Sequence, residues 1–478
     1  MDIMDIASKG ISAIAKGYGK KIKKKVTAPK IEDAQPVTIT GDTYRCGFAR
    51  AEIMPDITTG KTYYIAGHGS GHVMEGVLTP VYAHAIWLDC GEDKGIIWIS
   101  ADIVGLTNVE VQVVREKIKK AGIVPDDTLI NISCTHSHSG IDTIGYWGKP
   151  NLVSIPSNGK DPEYMEMLMN TMADIAGQAF KNKTAGKLFS GNVKVENGLF
   201  GKRKFDDRHE ILSRLRFAPD DGSNETWIMN FGGHPNSLGG SNRMLSGEYP
   251  YFMRENIAEA TGANVLYGIG PIGGMDMAQL NPIDKLDNVK QQAKMLSDAV
   301  VTIDNEHELT PEIKYLRQRF YYPVGNYVLI LLAKRKVMSC NPYPYNGVDT
   351  GLALNTEMTY MTFGDQKILL LPGENFVTTV FGHYSDSETS ATGKGGEVNP
   401  TPLAEICGDE NLIAFGVSND MTGYVVPPND FILNKTQPYL NSGEDKFGDN
   451  HYHETNSMGF DSQRIIAETF TKVVKNFK

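Results

Sequence analysis

No apolar stretch of this 478-residue chain approaches the roughly 20 residues that a membrane-spanning helix needs. The longest candidate, Tyr327 to Ala333, is stopped by Lys334, Arg335 and Lys336, so no membrane span is expected. Cysteine is scarce as well. Cys46, Cys90, Cys134, Cys340 and Cys407 are widely spaced, odd in number and without a CxxC pair. That argues against a disulfide framework or a cysteine zinc site and for free thiols in a reducing, cytoplasmic setting. Positive charge is in deficit: Lys+Arg 47 against Asp+Glu 57 gives a formal charge of -10, opposite in sign to the footprint of a nucleic-acid binder. No nucleic-acid partner is expected. With 41% hydrophobic and 22% charged residues, the composition is that of an ordinary globular protein, which excludes collagen-like and disordered classes.

The charge is segregated along the chain. Residues 1–30 hold eight lysines against Asp2 and Asp5, a net +6, so the remainder carries -16. Read as a helix, Ile3, Ala7, Ile11, Ile14, Tyr18 and Ile22 form one apolar stripe with the lysines mostly elsewhere. The acidic start and the missing apolar core rule out a secretory signal. Two readings follow: docking on an anionic membrane surface as a peripheral attachment, or a helix packed on its own domain. Gly10, Gly17 and Gly19 weaken the helix. The division expected is a basic extension over residues 1–35 and one domain over 36–478.

From about Pro36 no repeat or linker interrupts the chain, and short apolar strands alternate with amphipathic helices, which predicts an α/β layered fold with mixed sheets and flanking helices. Strands are expected at Ile96 to Ser100, Thr128 to Cys134, Trp227 to Phe231, Val265 to Tyr267, Met358 to Phe363 and Lys367 to Leu371. Helices are expected over Val109 to Ala121, Pro162 to Phe180, Tyr251 to Ala260, Leu286 to Asp304 and Ser462 to Asn476, with Asn326 to Asp349 an inserted loop.

The chemistry concentrates at strand ends. Thr135-His136-Ser137-His138-Ser139-Gly140 follows an apolar strand, and two histidines two apart in extended chain face one side. They offer two imidazoles to one metal, or one to the metal and one to substrate. His234 ends a strand among glycines in Asn230-Phe231-Gly232-Gly233-His234-Pro235, which permit close approach of a ligand. Glu374 follows another strand through Pro372-Gly373, where a carboxylate also stabilises a helix start. Asp102, at a strand end, is either an orienting partner of a ligand imidazole or a turn-capping aspartate.

These motifs, with Ser246-Gly247-Glu248-Tyr249-Pro250, Leu371-Pro372-Gly373-Glu374, Tyr424-Val425-Val426 and the early pieces Gly67-His68-Gly69, Val81-Tyr82-Ala83-His84-Ala85 and Ser100-Ala101-Asp102, occur in an order that resembles the catalytic domain of the neutral (non-lysosomal) ceramidase family. The resemblance runs from about Tyr44 to the C-terminus, with no room for that family's immunoglobulin-like C-terminal domain. It implies one zinc ion held by His136, His234, Glu374 and Tyr424, with His138 facing the substrate and Arg203 near the metal. It also implies hydrolysis of an amide, or less readily an ester, whose acyl part is a lipid.

One departure bears on mechanism. The family's nucleophilic serine falls in a Gly-Asp-x-Ser-Pro pattern near Gly273-Gly274-Met275-Asp276-Met277 here, yet no serine occurs between Ser246 and Ser297. Depending on register, its place is taken by Asp276 or Ala278. The nucleophile expected is then a zinc-activated water, with His138, Arg203 and Asp276 as the catalytic side chains. The rival of another class is a catalytically silent ceramidase-like binding protein. A third reading, dinucleotide binding, rests on Gly268-Ile269-Gly270-Pro271-Ile272-Gly273 after a strand; Pro271 and Asn281-Pro282 count against it.

Overall fold

The computed structural model describes residues 3–151 and 155–478, with the side chain of Ile3 outside the description. Alternation along single strands builds its layers. In the strand Tyr82–Asp89, Ala83, Ala85 and Trp87 point into one core while Ile86 and Leu88 point into another. A strand whose two faces are both covered must carry apolar residues at every position, and this one is buried almost throughout.

Two mixed sheets share the core containing Ile86 and Leu88. The larger has nine strands; its path runs Asn264–Ile269, Thr226–Phe231, Ile211–Pro219, Thr184–Lys194, Tyr44–Glu52, Tyr82–Asp89, Gly95–Ala101 and Leu129–Cys134. Two of its pairings are parallel, Thr226–Phe231 with Asn264–Ile269 and Gly95–Ala101 with Leu129–Cys134. The smaller runs Val37–Thr40, Glu312–Pro323, Leu352–Phe363, Gln366–Leu370 and Ile413–Phe415. Trp98, Leu215, Ile228 and Leu266 of the first meet Ile313, Met361, Phe363 and Phe415 of the second.

Among the described residues, six helices of eight or more residues precede residue 340: α1 Ile3–Lys25, α2 Asn108–Ala121, α3 Pro162–Lys181, α4 Glu248–Thr261, α5 Lys285–Val301 and α6 Tyr327–Lys334. Side chains from α2 to α5 cover the outer face of the larger sheet. Helices α1, α6 and the C-terminal helix Ser462–Phe477 cover the smaller one. The result is an α/β/β/α stack, the layered mixed fold the alternation implies. Its caps follow the rules of local chemistry: Asp161 accepts from Tyr164 N–H at the start of α3, and Asp284 from Asp287 N–H at the start of α5.

One expectation changes. Asn326 to Asp349 is not all loop, because Asn326 caps α6 by accepting from the Val328 and Leu329 N–H groups. The run Tyr327 to Ala333 shows no polar face because it is packed between α1 and the interior. The GxGxxG stretch is the end of a strand rather than a phosphate loop. Gly268 packs against the Phe415 ring and Gly270 against the backbone of Gly232, and the next helix begins only at Lys285. No helix N-terminus is therefore aimed at a bound phosphate there. Among the described residues no helix is long and apolar enough to cross a membrane.

A buried cross-link joins the two sheets behind the site. Arg115 of α2 pairs with Glu357 at 2.5 and 3.0 Å and donates to Asn419 Oδ1 at 3.1 Å. Asn419 in turn bonds Ile132 through both its backbone and its side chain, at 2.7 and 2.9 Å. The strand leading to His136 is thereby tied to the segment leading to Tyr424.

Candidate metal centre and its cavity

After the strand Leu129–Cys134 the backbone turns at His136 with φ +61°, a left-handed conformation that a non-glycine residue takes only where its surroundings impose it. Here those surroundings are visible. Thr135 N–H donates to Ala101 O at 2.9 Å, and His138 N–H donates to Pro235 O at 2.9 Å, which locks the first histidine motif against the second. Gly67, at φ +100°, passes so close that a Cβ there would overlap the His138 side chain. Ser137 and Ser139 reach the third motif, donating to Ser246 O and Glu248 Oε1 at 2.8 Å each.

The imidazoles are oriented by main-chain carbonyls. His136 Nδ1 lies 2.6 Å from Val104 O and His234 Nδ1 3.3 Å from Ile272 O. A proton on Nδ1 leaves the Nε2 lone pair free to face inward. Both Nε2 atoms face the same carboxylate oxygen, Glu374 Oε2, at 3.3 and 3.5 Å. His138 Nε2 stands 3.1 Å from His136 Nε2. The three rings meet at centroid distances of 4.9 Å, steeply inclined to one another. Among the described residues one cluster of His, Cys, Asp or Glu meets the spacing of a metal site, and it is His136, His138 and His234, all buried.

Glu374 and Tyr424 are delivered together. The short strand Glu374–Asn375 pairs in parallel with Tyr424–Val425, placing Glu374 directly opposite Tyr424. Burial, then the neighbouring Glu374 carboxylate, holds the Tyr424 phenol well above its ordinary range. Glu374 Oε2, His234 Nε2 and His138 Nδ1 are buried without a hydrogen-bond partner. Leaving such a group unpaired costs about 1–3 kcal/mol, and a cation bound between Glu374 Oε2 and His234 Nε2 explains those two at once. Imidazole nitrogens with one carboxylate oxygen are the donor set of a borderline divalent metal such as zinc. The residues present therefore fit a metal.

A cavity of about 340 Å³ opens above this cluster. Val104, Ile144, Trp147, Leu329, Met421 and Met458 supply apolar wall, while His68, Lys202, Asn236 and Tyr452 supply polar wall. Burial, then Lys202, pulls the His68 imidazole down to about 4, so it is neutral at pH 7. Lys202 Nζ lies 2.9 Å from Asp276 Oδ1 and 3.0 Å from the Tyr452 hydroxyl. Burial works against its charge, but Asp276 and Tyr452 outweigh burial and keep the ammonium above its usual range.

The other expected site residues occupy different places. Arg203 does not line this cavity. Its guanidinium is buried and taken up by Asp430, Glu454 and His453, and it lies over the Phe376 ring. The cation at the cavity wall is its neighbour Lys202. Asp276 also stands behind the wall, accepting from Lys202 and from Asn236 Nδ2 at 2.8 Å. Asp102 is neither solvated nor bonded to an imidazole. It pairs with Arg254 at 2.5 Å and accepts from Tyr82 N–H and the Thr135 hydroxyl. Lys202, Asn236 and the run Tyr452-His453-Glu454 belong to no motif expected from sequence, although ionisable side chains are dense from His451 to Glu454.

The stack with a buried histidine cluster where strands end defines a fold class. No protein-family model matches the chain, and no curated protein matches it. Solved structures do. The neutral ceramidase from Pseudomonas aeruginosa aligns with a TM-score of 0.63 at 15% identity, over 91% of this chain and 75% of that one. A ceramidase structure complexed with C2 aligns with a TM-score of 0.64 at 14% identity, over 91% and 76%. The fold is ceramidase-like.

Proposed function

We propose that this chain is a zinc-dependent hydrolase of N-acyl amides, with a lipid as the acyl part. The observation that carries the reading is the convergence of His136, His234 and Glu374 on one point, two of their inward-facing atoms unpartnered, at the base of a largely apolar cavity. The ceramidase-like fold supports an amide as the bond and a lipid as the substrate class.

His136, His234 and Glu374 would hold the metal, with Tyr424 opposite Glu374 as the fourth donor. Zinc bound there supplies Lewis acidity and lowers the pKa of water, which removes the need for the missing serine. The chain's own groups do the rest. His138 lines the cavity and would exchange a proton with the leaving nitrogen. Lys202 puts a fixed positive charge beside the oxygen on which negative charge develops, and Asn236 adds a donor. Asp276 and Tyr452 hold Lys202 in that position. Arg203 acts at one remove, fixing the segment that carries Tyr452 through Glu454. The apolar walls exclude water and receive the acyl chain.

The test pairs elemental analysis with a panel of N-acyl amides and the matching esters. Hydrolysis of amides by zinc-loaded protein, absent from His136→Ala and His234→Ala protein that has also lost zinc, supports the reading. Zinc at one per chain with no turnover on any amide or ester would instead favour a silent binding protein.

A further inference from the structure

The basic N-terminal segment takes no part in the chemistry proposed above. Its inner face is already committed. Ile11 and Ala15 are buried and Tyr18 and Ile22 partly buried against α6 and the smaller sheet. The Ser8 hydroxyl lies 2.7 Å from the Tyr327 hydroxyl, and Gly19 approaches the Thr350 carbonyl so closely that a Cβ would overlap it. Ile11, Tyr18 and Ile22 of the stripe that sequence alone left open to a membrane are thus the seat of the helix on its own protein, while Ile14 of that stripe is exposed.

The outer face is a different surface. All eight lysines of residues 1–30 are exposed. Lys16 pairs with Asp349 and Lys30 with Glu32, while Lys23 donates to Asn346. Lys9, Lys20, Lys21, Lys24 and Lys25 form no salt bridge with any described residue. At 3.6 residues per turn, Lys9, Lys20 and Lys24 fall on the side opposite Ile11, Ala15, Tyr18 and Ile22. Among the described residues of α1, Ile6 and Ile14 are the exposed large apolar side chains, at 57% and 40%.

We infer that this lysine face docks the protein on an anionic phospholipid surface. The charge pattern selects that occupant: +6 lies in the first thirty residues and -16 in the rest, so a negative surface attracts α1, repels the body and fixes one orientation. The helix is also well sited. It packs on α6, and α6 contributes Leu329 to the wall of the metal-site cavity, so the docking helix and that cavity share one element. With two isoleucines at the surface, attachment is electrostatic rather than insertional. Each lysine near such a surface is worth about a fivefold change in affinity, screened by salt.

Co-sedimentation of the full chain with phosphatidylcholine vesicles, with and without phosphatidylserine, tests this without reference to catalysis. A chain starting at Thr27 is a poor probe because it uncovers the apolar partners of Ile11 and Ala15. The fourfold variant Lys9→Gln, Lys20→Gln, Lys21→Gln, Lys24→Gln leaves the seat intact, which an unchanged unfolding midpoint verifies. Expected are binding to phosphatidylserine vesicles at low salt, loss of binding at high salt, and a several-hundredfold weakening in the variant. Equal binding by variant and wild type, equal binding to neutral vesicles, or no binding at low salt would overturn the inference.

Discussion

Replacing Glu374 by glutamine keeps volume and shape but removes the charge at the point where two imidazoles converge, and the outcome depends on what that point is for. Glu374 Oε2 is buried, receives no hydrogen bond, and lies 3.3 and 3.5 Å from two Nε2 atoms. If the His136–Glu374 contact were an ordinary buried ion pair, breaking it would cost about 3–5 kcal/mol with or without zinc. If the atoms are metal donors, the loss shows only when metal is present. In chelator-treated protein, Glu374→Gln is then within about 1 kcal/mol of wild type, because no bond to Oε2 is lost. At free zinc a thousandfold above the dissociation constant, wild type gains about 4 kcal/mol, whereas a variant with a hundredfold weaker site gains about 1.4 kcal/mol. Denaturant unfolding of both proteins in buffered zinc and in chelator reads all four values. A deficit of several kcal/mol in chelator, or an equal zinc gain in both proteins, would refute the reasoning.

Lys202→Met should lower kcat/KM about 100-fold while zinc content stays at the wild-type level, and Lys202→Arg should recover part of the loss; the magnitude is that of removing one donor to a developing oxyanion. Single-turnover hydrolysis in heavy-oxygen water, followed by mass spectrometry of the protein, should find no label on Asp276 and no acyl adduct; label in either form would show a covalent route. Burial, with Glu357 and Glu110 adding to it, raises the Asp420 carboxyl to about 7 from 3.8. Between those two values the unfolded chain has lost this proton while the folded chain keeps it, so wild-type stability falls as pH rises through that window. Asp420→Asn retains an acceptor for the Asn108 N–H and should gain up to about 4 kcal/mol relative to wild type from pH 4 to 7; parallel stability curves for the two proteins would contradict this.

The layered fold was legible because its cause is local. Alternating and continuous apolar runs mark half-buried and fully buried strands, and the expected helices and strands overlap observed elements. Helix α6 was not legible, since an apolar run with no polar face carries no period until α1 and the interior enclose it. The site was legible as separate motifs, and what sequence could not supply was their meeting. Glu374 and Tyr424 come together through a two-residue parallel pairing, and His138 is locked to Pro235 by one main-chain bond. Neither contact leaves a trace in spacing. Choosing between Lys202 and Arg203 was beyond the sequence for a related reason. The two cations are adjacent in sequence, and only the partners of each, Asp276 for one and Asp430 with Glu454 for the other, decide which reaches the cavity.

The proposed zinc-dependent amide cleavage at this cluster has one direct test. The most direct measurement titrates zinc into chelator-treated protein while following both bound metal and the release of amine from an N-acyl amide. The account predicts that activity rises in proportion to bound zinc and levels off at one ion per chain, with His136→Ala and His234→Ala flat in both readings. Amide hydrolysis at full rate in zinc-free protein, or undiminished zinc binding by both variants, would contradict it.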